Sequence, residues 1–251
     1  TNRACQGKMW NSVSLCGCNN TCRVCRNPWG KEDEVQLRQF AEEIKENYNQ
    51  RLLVQDEKGK WCYRSFEHTE KLVITQACEA LPLYWGMVPE DKVSDVAEAF
   101  RQTFLEKRAF ASGEVGLPYI IQTASRYGMN DLICSFIMKP EHPSYYAFVK
   151  EGLTTLGEYW EENPRSHCHD MMGHIIEWYY NGLAGIKPLE PGFKKVLIKP
   201  YLPESMNYMK CRYESVSGMI QVILTRKDGR VEVETDIAEG ISFEIDCSNL
   251  K

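Results

Sequence analysis

Hydrophobic and polar positions along this chain change their period once, and that change divides it. From Val35 the apolar residues Leu37, Phe40, Ala41, Ile44, Tyr48 and Leu52 recur at three- and four-residue steps, with Glu42, Glu43, Lys45 and Glu46 between them. This one-sided stripe predicts a helix with one face in solvent, ended by Asp56-Glu57-Lys58-Gly59. From Thr69 to Trp85 apolar residues cover the helix all round, as a buried helix requires. A second one-sided helix carries Val93, Val96, Ala97, Phe100 and Phe104, a more apolar segment runs from Leu117 to Ala124, and an outer one carries Leu132, Ile133, Phe136 and Ile137. A last apolar helix is predicted from Met171 to Ala184, closed by Gly185 as a glycine C-cap.

Beyond Pro188 the pattern shortens to β-rich runs at Lys195 to Lys199, Met219 to Thr225, Arg230 to Thr235 and Ile241 to Ile245. Lys227-Asp228-Gly229-Arg230 between two of them is a hairpin signal. The chain therefore reads as mainly α with a C-terminal all-β domain. We expect irregular, cysteine-rich sequence over 1–30, a helical part over 31–190 and a β-sandwich over 191–251. Buried and half-buried helices taking turns suggest a double-layered α/α toroid, with a plain helical bundle as the competing arrangement. Three inner helices are readable, and a closed ring of helical hairpins needs about twice that number, so the helical part reads as the second half of a partial (α/α)6 barrel.

The 251 residues are enough for a sizeable core without disulfide staples. Thirty basic against thirty-five acidic residues give a formal charge of -5, which offers no reason to expect nucleic acid or an anionic membrane as partner. No run of about 18 apolar residues is present to span a bilayer. Eleven cysteines, five of them between Cys5 and Cys25, are an odd count without paired spacing. This favours a reducing compartment, the cytoplasm, and leaves secretion or the periplasm open. Cys16, Cys18, Cys22 and Cys25 offer four thiolates for a zinc knuckle, but no second CxxC pair accompanies them. No cofactor is expected.

Chemistry concentrates in residues 152–170. Glu158 lies in a Gly- and Thr-containing connection, where a carboxylate can act as general base on water or remain a solvated loop charge. Tyr159 and Trp160 follow it, as an apolar wall for a sugar ring or as ordinary packing. His169 can donate to a sugar hydroxyl or serve a structural role. His167, Cys168, His169 and His174 lack the spacing of a tetrahedral metal site. Glu114, in Ser112-Gly113-Glu114-Val115-Gly116, is a reserve carboxylate at the pocket rim, although its glycines also suit a tight turn.

An ordered series of motifs gives these residues a family context. It comprises Thr75-Gln76, the run from Ala80 to Pro89, Gly113 to Tyr119, Gly152 to Trp160, Ser166-His167-Cys168-His169, and Glu177 to Ile186 leading into Pro191 to Pro200. Over residues 31–245 the chain resembles the C-terminal part of bacterial α-L-rhamnosidases of glycoside hydrolase family 78. The resemblance implies a six-hairpin α/α barrel followed by a β-sandwich, and hydrolysis of terminal α-L-rhamnosides with inversion. It makes Glu158 the general base, sets His169 near the sugar and puts Trp160 at the pocket; Tyr159 and Glu114 are substrate-side candidates on the reading of the residues alone. Gly157 stands where the family has Trp, which leaves the sugar's identity open. The Asp- and Arg-rich motif that carries the general acid has no counterpart here. The implied partners are a rhamnose-containing glycoside and the missing N-terminal half of the same polypeptide, and the chain alone is expected to have little activity. A carbohydrate-binding or scaffold module of the same fold is the alternative.

Overall fold

The computed structural model describes residues 31–68, 70–113, 115–161 and 165–250. Apart from one short hairpin, helices come first and strands follow, as the change of period predicts. By their internal contacts the residues group into two units, one up to Thr123 and one from Ala124 onward. Among the described residues no helix is long and apolar enough to cross a membrane.

In the first unit, α1 (Lys31–Leu52) opens with Glu32, Asp33 and Glu34 and closes with Arg51, charges that complement the helix dipole. Its stripe buries Ala41, Tyr48 and Leu52. The chain then forms a hairpin missed by the sequence reading, β1 (Leu53–Gln55) paired with β2 (Trp61–Tyr63). Asp56 shapes its turn, accepting from the N–H groups of Lys58 and Lys60, both at 2.8 Å.

The buried helix is shorter than expected. α2 spans only Gln76–Trp85, because Thr75 caps it by accepting from the Cys78 N–H and Val73 is drawn off to accept from the Ser65 N–H. Gly86 in the left-handed region ends it. Then come α3 (Val93–Lys107), with Phe100 and Phe104 buried, and α4 (Leu117–Arg126). The buried Gln76 amide bridges the Ala109 carbonyl and the Ala111 N–H, and so pins the loop that leads to Gly113.

In the second unit, α5 (Asn130–Ile137) and α6 (Tyr145–Lys150) precede a loop and then an irregular helical run. The single helix expected from Met171 to Ala184 is instead a 3-10 turn (Asp170–Met172), α7 (Ile175–Trp178) and a π turn (Tyr179–Leu183). The Trp178 indole N–H donates to Asn130 Oδ1 at 2.9 Å inside the core. Gly182 lies against that ring so closely that a Cβ there would stand 2.3 Å from Cδ1. A side chain at 182 would displace the indole, so the helix register and the glycine are fixed together.

Six further strands follow among the described residues: β3 (Ile186–Pro188), β4 (Lys195–Ile198), β5 (Tyr208–Ser215), β6 (Gly218–Lys227), β7 (Arg230–Ile237) and β8 (Ser242–Ile245). One sheet has the order β3-β4-β8, with β8 parallel to β4, and the other is the antiparallel meander β5-β6-β7. Ile186, Val196 and Ile198 of the first sheet share one buried core with Ile220, Val222 and Leu224 of the second, the arrangement of a β-sandwich. The hairpin signal is realised: Lys227 pairs with Arg230, and Asp228 and Gly229 both take positive φ. β3 lies ahead of the boundary expected near Pro191, and β3 and β5 were not read from the sequence.

Candidate active site

The stretch 152–170 is built on α6. Ser144 caps that helix by accepting from the Tyr146 N–H, and its hydroxyl donates to the buried Ile137 carbonyl at 2.9 Å. Gly152, at φ +77°, turns the chain away after the last turn. Two segments then run antiparallel. The Glu158 N–H donates to the Ser166 carbonyl and the His169 N–H donates to the Leu156 carbonyl, both at 3.0 Å, while the Thr155 hydroxyl donates to the His167 carbonyl. Residues 155–158 form one arm and residues 166–169 the other. Glu158 and His169, eleven residues apart in the chain, are thereby carried on adjacent backbone.

Glu158 is half-buried. His169 caps the 3-10 turn after it, its Nδ1 accepting from the Met171 N–H at 3.4 Å. With Nδ1 as acceptor, the neutral ring carries its proton on Nε2, which makes that nitrogen the donor available to a ligand. The ring is about one-third exposed, at 32%. Trp160 meets Tyr145 edge-on, with ring centroids 5.0 Å apart and planes at 89°, and stacks on Phe148 at 6.1 Å. Both of these rings are on α6. Tyr159 is 43% exposed. Glu114 and the cysteines between Cys5 and Cys25 lie outside the described residues. Among the described residues no group of three His, Cys, Asp or Glu side chains is arranged to hold a metal ion.

The sequence reading missed the supporting groups. Tyr145 donates from its hydroxyl to the Met172 carbonyl at 2.6 Å, and His142 Nε2 meets Glu151 Oε1 at 2.7 Å beside the Phe148 ring. Pro143-Ser144 ahead of the apolar run was the available signal for α6. In chemical terms the arms carry a half-buried carboxylate, an imidazole N–H donor and exposed aromatic surface. That set can hold a neutral polyhydroxylated ligand and take a proton from water.

Comparison with known proteins agrees with the motif series. A model of the bacterial alpha-L-rhamnosidase six-hairpin glycosidase domain matches residues 21–183, and a model of the bacterial alpha-L-rhamnosidase C-terminal domain matches residues 185–247. The chain belongs to the bacterial α-L-rhamnosidase family. An α-L-rhamnosidase of Alteromonas sp. (strain LOR) is 28% identical over 182 residues, which cover 68% of this chain and 20% of that protein. The structure of the α-L-rhamnosidase from Dictyoglumus thermophilum superposes with a TM-score of 0.81 at 25% identity, covering 92% of this chain and 26% of that one. The Streptomyces avermitilis α-L-rhamnosidase complexed with L-rhamnose shares the fold, with a TM-score of 0.80 at 17% identity over 94% of this chain and 22% of its own. The chain spans about a fifth of the length of the first curated relative. Glu158, Trp160 and His169 all fall within the six-hairpin match, and that match begins at residue 21, ahead of the stretch that carries the resemblance.

Proposed function

We propose that this chain forms one wall of the active site of an inverting α-L-rhamnoside hydrolase, with Glu158 as the general base. Residues 31–190 supply the second half of the barrel and residues 191–251 the β-sandwich. Glu158 takes a proton from a water on the face opposite the leaving group, and that water attacks the anomeric carbon. The general acid comes from the upstream half of the polypeptide, about 6.5–9.5 Å from Glu158, a gap that leaves room for the water. His169 donates from Nε2 to a sugar hydroxyl, and Tyr159 and Trp160 border the ring. The substrate is a glycoside ending in α-L-rhamnose, and the chain without its upstream half has little activity. The reducing cytoplasm is the compartment we assign.

The observation that carries this reading is the antiparallel pairing of 155–158 with 166–169, which brings the carboxylate and the imidazole of one motif series onto adjacent arms. Stereochemistry tests it. Proton NMR of fresh hydrolysate from the full-length protein that carries this segment, supplied with p-nitrophenyl α-L-rhamnoside, is expected to show β-L-rhamnose first. First-formed α-L-rhamnose would rule out a general-base role for Glu158 in an inverting reaction.

A further inference from the structure

The two arms are paired to each other by few backbone bonds, and both emerge from loops. One side chain contacts the chain just past each of them. Tyr145, at the start of α6, is 8% exposed. Its hydroxyl donates to the carbonyl of Met172, three residues past His169, and its ring edge meets Trp160, two residues past Glu158. We infer that Tyr145 is a positioning residue that ties the Glu158 arm to the His169 arm. The inference rests on the reading of those two residues as the working pair of the site.

The surroundings make Tyr145 a fixed post. Ser144 anchors the start of α6 to α5 through the Ile137 carbonyl, and His142 and Glu151 close over its far end, with the His142 ring 4.7 Å from Phe148. Phe148, one turn after Tyr145 on the same helix, stacks on the same Trp160 ring. Tyr145 and Phe148 thus both pack against Trp160, while the Tyr145 hydroxyl bonds the turn that His169 caps. Burial pushes the Tyr145 hydroxyl above its usual range, so it remains a neutral donor at any working pH. Met172 is 1% exposed, and its carbonyl has water as a poor substitute partner.

Tyr145→Phe keeps the ring contact and removes only the hydroxyl. Amide hydrogen exchange measured by NMR on the whole chain reads the consequence directly. Exchange at the Glu158 and His169 amides is expected to rise about five- to tenfold, with Val222 and Leu224 in the β core unchanged. The His169 ring nitrogens supply a second signature: loosening of the turn weakens the Met171 contact to Nδ1, and the imidazole 15N shifts move toward those of a free tautomer mixture. Exchange at Glu158 and His169 within about twofold of the parent, with unchanged ring shifts, would overturn the inference. An equal rise at Val222 would also overturn it, because the hydroxyl would then serve general stability. No sugar enters this experiment, so its outcome stands apart from that of the hydrolase reading.

Discussion

Gly185 allows a quantitative test of how the helical run enters the sandwich. Its φ is +72°, and a Cβ built there would stand 2.1 Å from both the carbonyl carbon and the oxygen of Lys199. The Gly185 carbonyl also accepts from the Lys199 N–H at 3.0 Å. Gly185→Ala therefore carries three costs. The left-handed conformation costs about 1–2 kcal/mol for a residue with a Cβ. Loss of the hydrogen bond adds about 0.5–1.5 kcal/mol, and displacement of the packed backbone adds about 1–3 kcal/mol.

Gly229→Ala in the same unit is the control. Its φ is +77° and nothing lies within 4 Å of the place a methyl group would take there, so it meets only the first cost. Any entropy effect of Gly→Ala on the unfolded chain is common to both variants. The difference between them is thus about 1.5–4.5 kcal/mol, the hydrogen bond plus the backbone contact. Urea unfolding followed by circular dichroism reads it as a lower midpoint for Gly185→Ala at a similar slope. Equal losses in the two variants would refute the close approach.

Other consequences follow from single contacts. Trp178→Phe leaves Asn130 Oδ1 without its donor in the core and should lower stability by about 1–3 kcal/mol in the same urea assay; no loss would contradict that bond. In a brief iodoacetamide pulse at about pH 8, read by peptide mapping, the exposed Cys168 and Cys247 should label ahead of Cys62, whose thiol is pushed up to about 12 by burial and then by the Glu79 charge. Early labelling of Cys62 would contradict its burial. Asp246 is held below the ordinary carboxylate value of 3.8, first by the hydrogen bond from Lys199 and then by Ser248. Its folded-state pKa is depressed, so its contribution is present above the unfolded value and lost as pH falls through the folded one. The Tm difference between the parent and Asp246→Asn should narrow as the pH falls from about 6 toward 2, and a constant difference would exclude the linkage.

The outer helical stripes were legible because each such helix buries one face, as Ala41, Tyr48 and Leu52 do in α1. Where local bonding overrode the apolar pattern, the reading ran too long. Val73 left the helix for a bond to Ser65, and the run 171–184 broke into three helical forms around Trp178 and Gly182. Strands of three residues such as β1 to β3 are too short to display a period of two. β5 does display it, with Met209, Cys211 and Tyr213 inward and Tyr208, Lys210 and Arg212 outward, yet its mixture of charged and apolar residues hid the alternation. Within the candidate site, Glu158 and His169 were visible through their motifs. Tyr145 was not, because its partner Met172 is 27 residues away and the bond uses a backbone carbonyl, which no residue type announces.

The central claim, that Glu158 is the base, is tested most directly by Glu158→Gln in the full-length protein, assayed on p-nitrophenyl α-L-rhamnoside with the exposed neighbour Glu161→Gln as control. The account predicts that kcat falls by about 10²–10⁴ in the first variant and stays near the parent's in the second. Unchanged kcat in Glu158→Gln would contradict it.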